Sequence, residues 1–233
     1  LSDGHVPFHD VGAIEAAVAW GKKWKPDVLL LNGDWADFYA VSHWERDPDL
    51  RDFVAECGVV EESLSYLASN FHKARRLYKC GNHEMRFRRY LWDKAPDLCG
   101  HPSMTIEQWL HLDRYGFELI DDKRTVDLGG FPVRHGHEYR SGFGAPVNAA
   151  RGAFTKLLHT CLVGHWHASS SHSEKAMGGR RITTWSTGCL CDLSPTYAPH
   201  NKWNHGFAAV DATKSGFEVH NLQIFPDGKV RPA

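Results

Sequence analysis

Short apolar runs alternate with longer stretches of helical periodicity in the first half of the chain. Residues 11–24 repeat apolar side chains at the spacing of one helix face, and residues 49–71 predict a second amphipathic helix. Residues 28–31 are continuously apolar, which predicts a short strand buried on both faces. Residues 75–80 predict the next strand. This order of helices and strands predicts an α/β fold.

The second half shows a different pattern, with shorter strands separated by turns. A helix is expected to restart after residue 85, and short helices around Pro96, Gly100 and Pro102 predict a helical insertion at about residues 85–116. Further predicted elements are a hairpin at 127–131, a helix at 147–158, a strand at 160–163 and largely antiparallel strands at 181–186, 207–211 and 217–224. We predict a single domain covering residues 1–233.

Five polar stretches lie at or near the ends of the apolar runs and combine glycine with carboxylate, amide or imidazole groups. They are residues 2–5 (SDGH), 32–37 (NGDWAD), 80–84 (CGNHE), 135–137 (HGH) and 164–167 (GHWH). In α/β sheets, ligand sites form at the carboxyl ends of strands. Asp3 and His5 are two residues apart, which predicts that both point to one side at the end of an extended strand. We therefore expect the five stretches to converge on one site.

The residue types at these stretches favour divalent metal ions. Carboxylate, imidazole and amide oxygen together suit manganese, iron, zinc, cobalt or nickel, whereas calcium prefers oxygen ligands alone. The ligands are too many for one tetrahedral ion, which indicates a pair. Two ions ~3.5–4 Å apart can hold a hydroxide and clamp a phosphate in line with it. An imidazole outside the metal shell could protonate the leaving group.

The composition of the chain limits the kinds of molecule that it is expected to bind. The formal net charge of -1 gives no drive toward nucleic acid or lipid, so we expect no broad nucleic-acid-binding surface and no processive nuclease. No apolar run approaches the ~18 residues that span a bilayer, so no membrane contact is expected. The six cysteines lack a CxxC pair and are expected to be mostly reduced and buried. Cytoplasmic location is the default, and a start at Leu1 leaves open a removed signal peptide.

Taken together, the stretches resemble the calcineurin-like metallophosphoesterase family, whose pattern is D-x-H, G-D-x-x-D, G-N-H-[DE], H and G-H-x-H. Every block is present between residues 3 and 167. The resemblance implies a four-layer α/β/β/α sandwich of two mixed sheets with the metals at the strand ends. Block spacing, Trp44 and the tail at 191–206 are also similar to members in bacteriophage and bacterial genomes. The family strand before Asp3 is truncated here, and Gly4 predicts unusual freedom in that loop.

Carried over by position, the resemblance implies seven metal ligands. These are Asp3, His5 and His167 for the first ion, Asn82, His135 and His165 for the second, and Asp34 bridging both. It assigns His83 as the acid beside the leaving group, with Asp37 holding its tautomer. His137 is the alternative to His135, since both lie on one side of the predicted strand, and the family pattern favours His135. Glu84 is expected to hold the loop.

The resemblance implies hydrolysis of phosphate esters, with two divalent transition-metal ions and manganese favoured for activity. A phosphodiesterase acting on nucleotides or nucleic-acid-like diesters is our leading interpretation. The alternatives are a phosphomonoesterase, including nucleotide or protein phosphatases, and a non-catalytic scaffold. Four residues are candidates for substrate contact: Arg86, Trp166, His43 and Tyr139. Arg88 and Arg89 are expected on the solvated face of their helix, and buried packing is expected for most of the tryptophans.

Overall fold

Five α-helices and three β-sheets make up the described part of this computed structural model, which covers residues 1–139, 147–213 and 216–233. The mixed α/β class predicted from the sequence is confirmed. No helix within these ranges is long and apolar enough to cross a membrane.

The first sheet is parallel and contains the strands that lead to the first three polar loops. It consists of β1 (Val28–Asn32), β2 (Arg75–Lys79) and β3 (Phe117–Ile120), in the order β1-β2-β3. Leu31 is completely buried and pairs with Tyr78 of β2. The continuous apolar run of β1 is thereby explained, because helices and a neighbouring sheet cover both of its faces.

Helices precede and connect the strands of the first sheet. Helix α1 (Val11–Trp24) precedes β1, α2 (Phe53–Asn70) connects β1 to β2, and α3 (Glu84–Lys94) and α4 (Ile106–Trp109) lie between β2 and β3. The range predicted for α1 is confirmed, and its Asp10 cap accepts a hydrogen bond from the Ala13 amide at 2.7 Å. The prediction for α2 was wrong at its start. Asp52 caps this helix, which therefore begins at Phe53 rather than at residue 49, and Val54 in its first turn is 70% exposed.

The other two sheets come from the second half of the chain. One is mixed, in the order β4-β5-β6-β8-β7, and is formed by β4 (Val126–Leu128), β5 (Phe131–Arg134), β6 (Cys161–Val163), β7 (Ser170–Lys175) and β8 (Arg181–Ser186). Helix α5 (Ala149–Leu157) packs against β7 and β8. The third is antiparallel and contains β9 (Gly206–Thr213), β10 (Gly216–Ile224) and β11 (Val230–Pro232).

Two mixed sheets were predicted, whereas the described strands form three sheets. The parallel and antiparallel three-stranded sheets remain separate because β1 and β9 do not pair directly. Residues of both strands line one cavity of about 710 Å³. At one end of this cavity the Leu1 ammonium donates to the Leu30 carbonyl at 2.9 Å, and the Asn32 amide donates to the Leu1 carbonyl at 2.7 Å. This is the bonding pattern of a parallel strand on the free edge of β1.

Candidate metal centre

The loops that follow β1, β2, β5 and β6 meet at the carboxyl ends of their strands. Asp34 follows β1, His83 follows β2, His135 follows β5, and His165 and His167 follow β6. The segment containing Asp3 and His5 lies against the first of these loops, because the Asp3 amide donates to Gly33 at 3.1 Å and the His5 amide to Asp34 at 2.9 Å. Residues more than 160 positions apart are brought together in this way.

Left-handed backbone conformations aim most of these side chains. Five of the seven predicted ligands have φ values between 47° and 67°, namely Asp3, His5, Asp34, His165 and His167. Such values cost of order 1 kcal/mol or more for each residue and cluster at functional sites. The prediction that Asp3 and His5 end an extended strand was therefore wrong. The backbone turns at each residue, and this turn rather than strand alternation directs both side chains inward.

Gly4 has a different role from the one predicted. A Cβ at this position would lie 2.9 Å from the indole of Trp35, which is completely buried and donates to Ser63 Oγ at 3.0 Å. Close packing against this ring therefore requires glycine. The segment is tightly held, and the expected freedom of the loop is not what the structure shows.

A first group of donor atoms surrounds one point beside Asp3. The Nε2 atoms of His5 and His167 are 3.1 Å apart, and His167 Nε2 lies 3.3 Å from Asp3 Oδ1. The donor atoms of Asp3, His5 and Asp34 also lie within 4.8 Å of one another. Two imidazole nitrogens and two carboxylates thus converge, as a borderline divalent ion requires.

A second group also includes the carboxylate of Asp34. Donor atoms of Asp34, His135 and His165 lie within 4.8 Å of one another, and His135 Nε2 is 3.1 Å from Asp34 Oδ2. Asn82 is next to His83, whose amide donates to Asp34 Oδ1 at 2.8 Å. Except for Asn82, which is placed only by its neighbour His83, the predicted ligands of both sets are grouped around Asp34.

Unpartnered buried atoms show that these donors fit metal ions. Asp3 Oδ1, Asn82 Oδ1 and His135 Nε2 are buried and make no well-aligned hydrogen bond within the described residues, although His167 Nε2 lies 3.3 Å from Asp3 Oδ1 and Asp34 Oδ2 lies 3.1 Å from His135 Nε2. Leaving such an atom unsatisfied costs ~1–3 kcal/mol, and more for a charged group. Coordination would satisfy all three.

Of the two histidines in the HGH stretch, the structure places His135 at this centre. His137 Nε2 is 3.9 Å from Asp122, and His137 Nδ1 is 3.7 Å from Glu138. The two rings are 5.3 Å apart. The ambiguity arose because β5 was expected to continue through both residues, whereas it ends at Arg134.

The charges in the cluster favour metal coordination. Burial works against ionisation of Asp34, but His135 and His83 hold the pKa of this carboxyl well below its usual range. Burial opposes protonation of His135, yet Asp34 and Asp3 raise its pKa to about 10, so the carboxylates stabilise a positive charge at this ring and a metal ion would have to displace its proton. Burial and the neighbouring His135 lower the pKa of His165 to about 3, so that its ring is neutral and can act as a ligand.

His83 lies outside both groups and is oriented by Asp37. Its Nδ1 is 3.0 Å from Asp37 Oδ2, while its Nε2 is 3.9 Å from Asp34 Oδ2. The same Asp37 oxygen is 3.0 Å from His5 Nδ1. Burial opposes protonation, but Asp34 and Asp37 raise the pKa of His83. One carboxylate therefore orients both a first-group histidine and the predicted acid.

Glu84 is completely buried and holds two of the loops together. Its carboxylate accepts from the amides of Asp34 and Trp35 in one loop and of Gly81 in the other, at 2.7–3.0 Å, and from the Tyr78 hydroxyl at 2.9 Å. Its expected structural role is confirmed, and Tyr78 was not foreseen.

The predicted substrate contacts are distributed unevenly. Arg86 reaches the cluster, where its Nη1 donates to Asp37 Oδ1 at 2.6 Å. Trp166 and Tyr139 are half-buried and pack against the apolar group of Ala153, Cys161 and Val163. His43 is exposed, and its ring lies beside that of Trp44 in a tilted arrangement. Arg88 and Arg89 are exposed as expected, whereas Arg86 is not.

Three residues near the donor group of Asp3, His5 and His167 were not among the predicted site residues. Ser2 Oγ donates to Asp3 Oδ2, Cys191 Sγ lies 3.9 Å from His167 Nδ1, and the Trp203 ring lies 4.2 Å from that of His167. All six cysteines are free and all but Cys99 are buried, which confirms the prediction. Position along the chain gave no signal for Cys191, because the segment of residues 189–191 is brought back to the site only by the fold.

Gly81→Ala is expected to disrupt the cluster. The new methyl group would overlap Asp34 Oδ1 and lie 2.9 Å from His135 Nε2. We expect at least about a tenfold weaker metal affinity, the scale of misplaced ligands, measured by calorimetric titration. Gly58→Ala is the matched control. No atom lies within 4 Å of the added Cβ in the middle of α2, so this variant should gain about 0.5–1 kcal/mol of stability with unchanged metal affinity.

Glu56 gives the stability a defined dependence on pH. It accepts from the amides of Tyr39 and Ala40 in the loop after Asp37, and burial raises its pKa to about 7. The unfolded chain releases this proton at lower pH, so the stability that the group contributes falls as pH rises from about 4.5 to 7, by at most about 3 kcal/mol. Urea unfolding should show this loss relative to Glu56→Gln. An identical pH slope in both proteins would contradict it, and exposed Glu62→Gln serves as the control.

Comparison with known proteins yields two distant relatives. The chain matches no family model. It is 22% identical over 232 residues to the Gene 54 protein of Mycobacterium phage L5, covering 89% of this chain and 86% of that protein. It is 23% identical over 205 residues to the Gene 54 protein of Mycobacterium phage D29, covering 80% and 75%. These names state no activity.

Proposed function

We propose that this chain is a binuclear metal-dependent phosphoesterase of the calcineurin-like kind. The observation that carries the proposal is the pair of donor groups that share Asp34, since one includes Asp3 and the other His135, each with an unpartnered buried atom. Seven side chains would hold the two ions: Asp3, His5 and His167 on one side, Asn82, His135 and His165 on the other, and Asp34 between them.

Two bound divalent ions would supply Lewis acidity and a water-derived nucleophile at neutral pH. The chain itself supplies the rest. Asp34 and Asp3 are ionised despite their burial, which gives the site the negative charge that cations require. His83 Nε2 faces the cluster while Nδ1 is hydrogen-bonded to Asp37. That orientation suits proton donation to a leaving oxygen.

The four-layer arrangement of two sheets is proposed together with the activity. Its support is the cavity that residues of β1 and β9 both line, since β1 and β9 are edge strands of the two three-stranded sheets and a shared cavity is expected where two such edges face each other. The five-stranded mixed sheet contributes His135, His165 and His167 from its strand ends. The relation to phage proteins at 22–23% identity is compatible with a phage-type member.

We propose phosphodiesters as the substrate class, with nucleotides as the leading candidates. A diester carries one negative charge at the scissile phosphate, and among the described residues Arg86 is the guanidinium whose hydrogen bonds place it at Asp37 and His83. A monoester carries up to two charges. The phosphomonoesterase reading is therefore the alternative outcome of the test below.

The test is a substrate panel with the manganese-, nickel- or zinc-loaded protein. It compares bis-nitrophenyl phosphate with nitrophenyl phosphate and adds cyclic nucleotides, dinucleotides and single-stranded DNA. We expect faster turnover of the diester. Much faster turnover of the monoester would overturn the diester assignment, and hydrolysis of none of these esters would overturn the activity itself and favour a scaffold.

A further inference from the structure

The Arg86 side chain packs into the site and does not lie on the exposed face of its helix. Its side chain is only 13% exposed, and Nη1 donates both to Asp37 Oδ1 at 2.6 Å and to the Asp37 carbonyl at 2.9 Å. It lies three residues after His83, at the helical spacing that places two side chains on one face. Asp37 thus anchors one half of the guanidinium.

The other half of the guanidinium contacts the predicted acid. Arg86 Nη2 lies 3.0 Å from His83 Nε2. A guanidinium only donates hydrogen bonds, so Nε2 must accept here. His83 then carries its proton on Nδ1, which lies 3.0 Å from Asp37 Oδ2. In this arrangement Nε2 cannot donate to a leaving group.

We propose that Arg86 caps His83 in the free protein and exchanges this contact for a phosphate oxygen when the ligand binds. The proposal deepens the proposed phosphoesterase function and rests on it for the identity of the ligand. Nη1 stays on Asp37 throughout, and Nη2 moves from His83 to the phosphate. Guanidinium–phosphate hydrogen bonds are charge-assisted and stronger than a bond to a neutral imidazole. The exchange leaves His83 Nε2 free to take up a proton from solvent, which it needs in order to act as an acid, and to face the substrate.

The neighbouring arginines set Arg86 apart. Arg88 is exposed and pairs with Asp121 at 3.2 Å, and Arg89 is exposed on the same helix. If this helix face were only solvated, all three arginine side chains would be exposed to a similar extent. Of these three arginines, Arg86 is the one that contacts Asp37 and His83 among the described residues, so one substitution on this helix should affect phosphate binding and the others should not.

The test is calorimetric binding of inorganic phosphate to the manganese-loaded protein. We expect Arg86→Gln to weaken phosphate binding by about tenfold or more, the size of a lost charge-assisted hydrogen bond, with unchanged manganese content. Arg86→Lys should recover part of the loss, and Arg89→Gln should stay within about twofold of the original chain. Unchanged binding in Arg86→Gln, or no phosphate binding by the original chain, would overturn the proposal.

A spectroscopic measurement separates exchange from simple attraction. Nitrogen-15 spectra of the histidine side chains, assigned with His83→Gln and recorded on zinc-loaded protein, should show that phosphate shifts His83 Nε2. In Arg86→Gln that atom should differ from the original chain before phosphate is added. If phosphate does not shift the His83 Nε2 signal, the proposed exchange of the contact between Arg86 and His83 is overturned. Phosphate binding through Arg86 without hydrolysis of any ester would leave the cap standing and remove the proposed function.

Discussion

Asp34→Ala should lose both metal ions and hydrolysis together. Asp34 is the one residue common to the group with Asp3 and His5 and the group with His135 and His165. It also accepts the His83 amide at 2.8 Å, so that its removal loosens the loop carrying the acid. We expect a fall in kcat/KM of more than about a hundredfold, since loss of outer-shell partners alone reaches that size.

The measurement pairs metal content with rate and melting temperature. Manganese at about a thousand times its dissociation constant should stabilise the original chain by about 4 kcal/mol, and this gain should vanish in Asp34→Ala. Asp113→Ala is the matched control, because Asp113 is exposed in the helical insertion, away from the strand ends. Full metal content in Asp34→Ala would show that the two groups do not share this carboxylate.

His83→Ala should behave in the opposite way, keeping the metals and losing the reaction. His83 contacts Asp37 through Nδ1 and belongs to neither donor group that shares Asp34, although its donor atom lies within 4.8 Å of those of His5 and Asp37. We expect esters with poor leaving groups to slow by about 10²–10⁴-fold, and esters with nitrophenolate leaving groups to slow much less, since these depart without a proton. Exposed His72→Ala should match the original chain.

The leaving-group dependence decides the role of His83. Equal losses for good and poor leaving groups would remove His83 from the acid role and leave it a binding residue. Loss of metal from His83→Ala would instead place it in the coordination shell. Both readouts come from the same preparations.

The local sequence pattern was enough to predict most of the helices and strands. It also identified the side chains that cluster at the site. The range of α1, the strand at residues 28–31 and the hairpin before β5 follow from apolar periodicity and turn residues. The convergence of Asp3 and His167 followed from a shared property of the five stretches, each placed near the end of an apolar run. Such features are local in sequence.

What the sequence missed depends on tertiary contacts. The polar strand β7 has no apolar alternation and forms because β8 offers a partner edge. The inward turn at Asp3 and His5 depends on hydrogen bonds to the loop after β1, and Gly4 is required by the ring of Trp35. Arg86 was predicted to contact substrate, but its contacts with Asp37 and His83 depend on the fold. Apart from β8, which follows β7 directly, these partners are distant in sequence.

The central claim is that this chain holds two transition-metal ions at the strand ends around Asp34. The most direct test is elemental analysis of protein reconstituted at neutral pH with manganese, zinc or nickel and freed of excess metal. We predict about two equivalents per chain, falling to less than one in Asp34→Ala. A chain that remains free of metal after this treatment would contradict the claim.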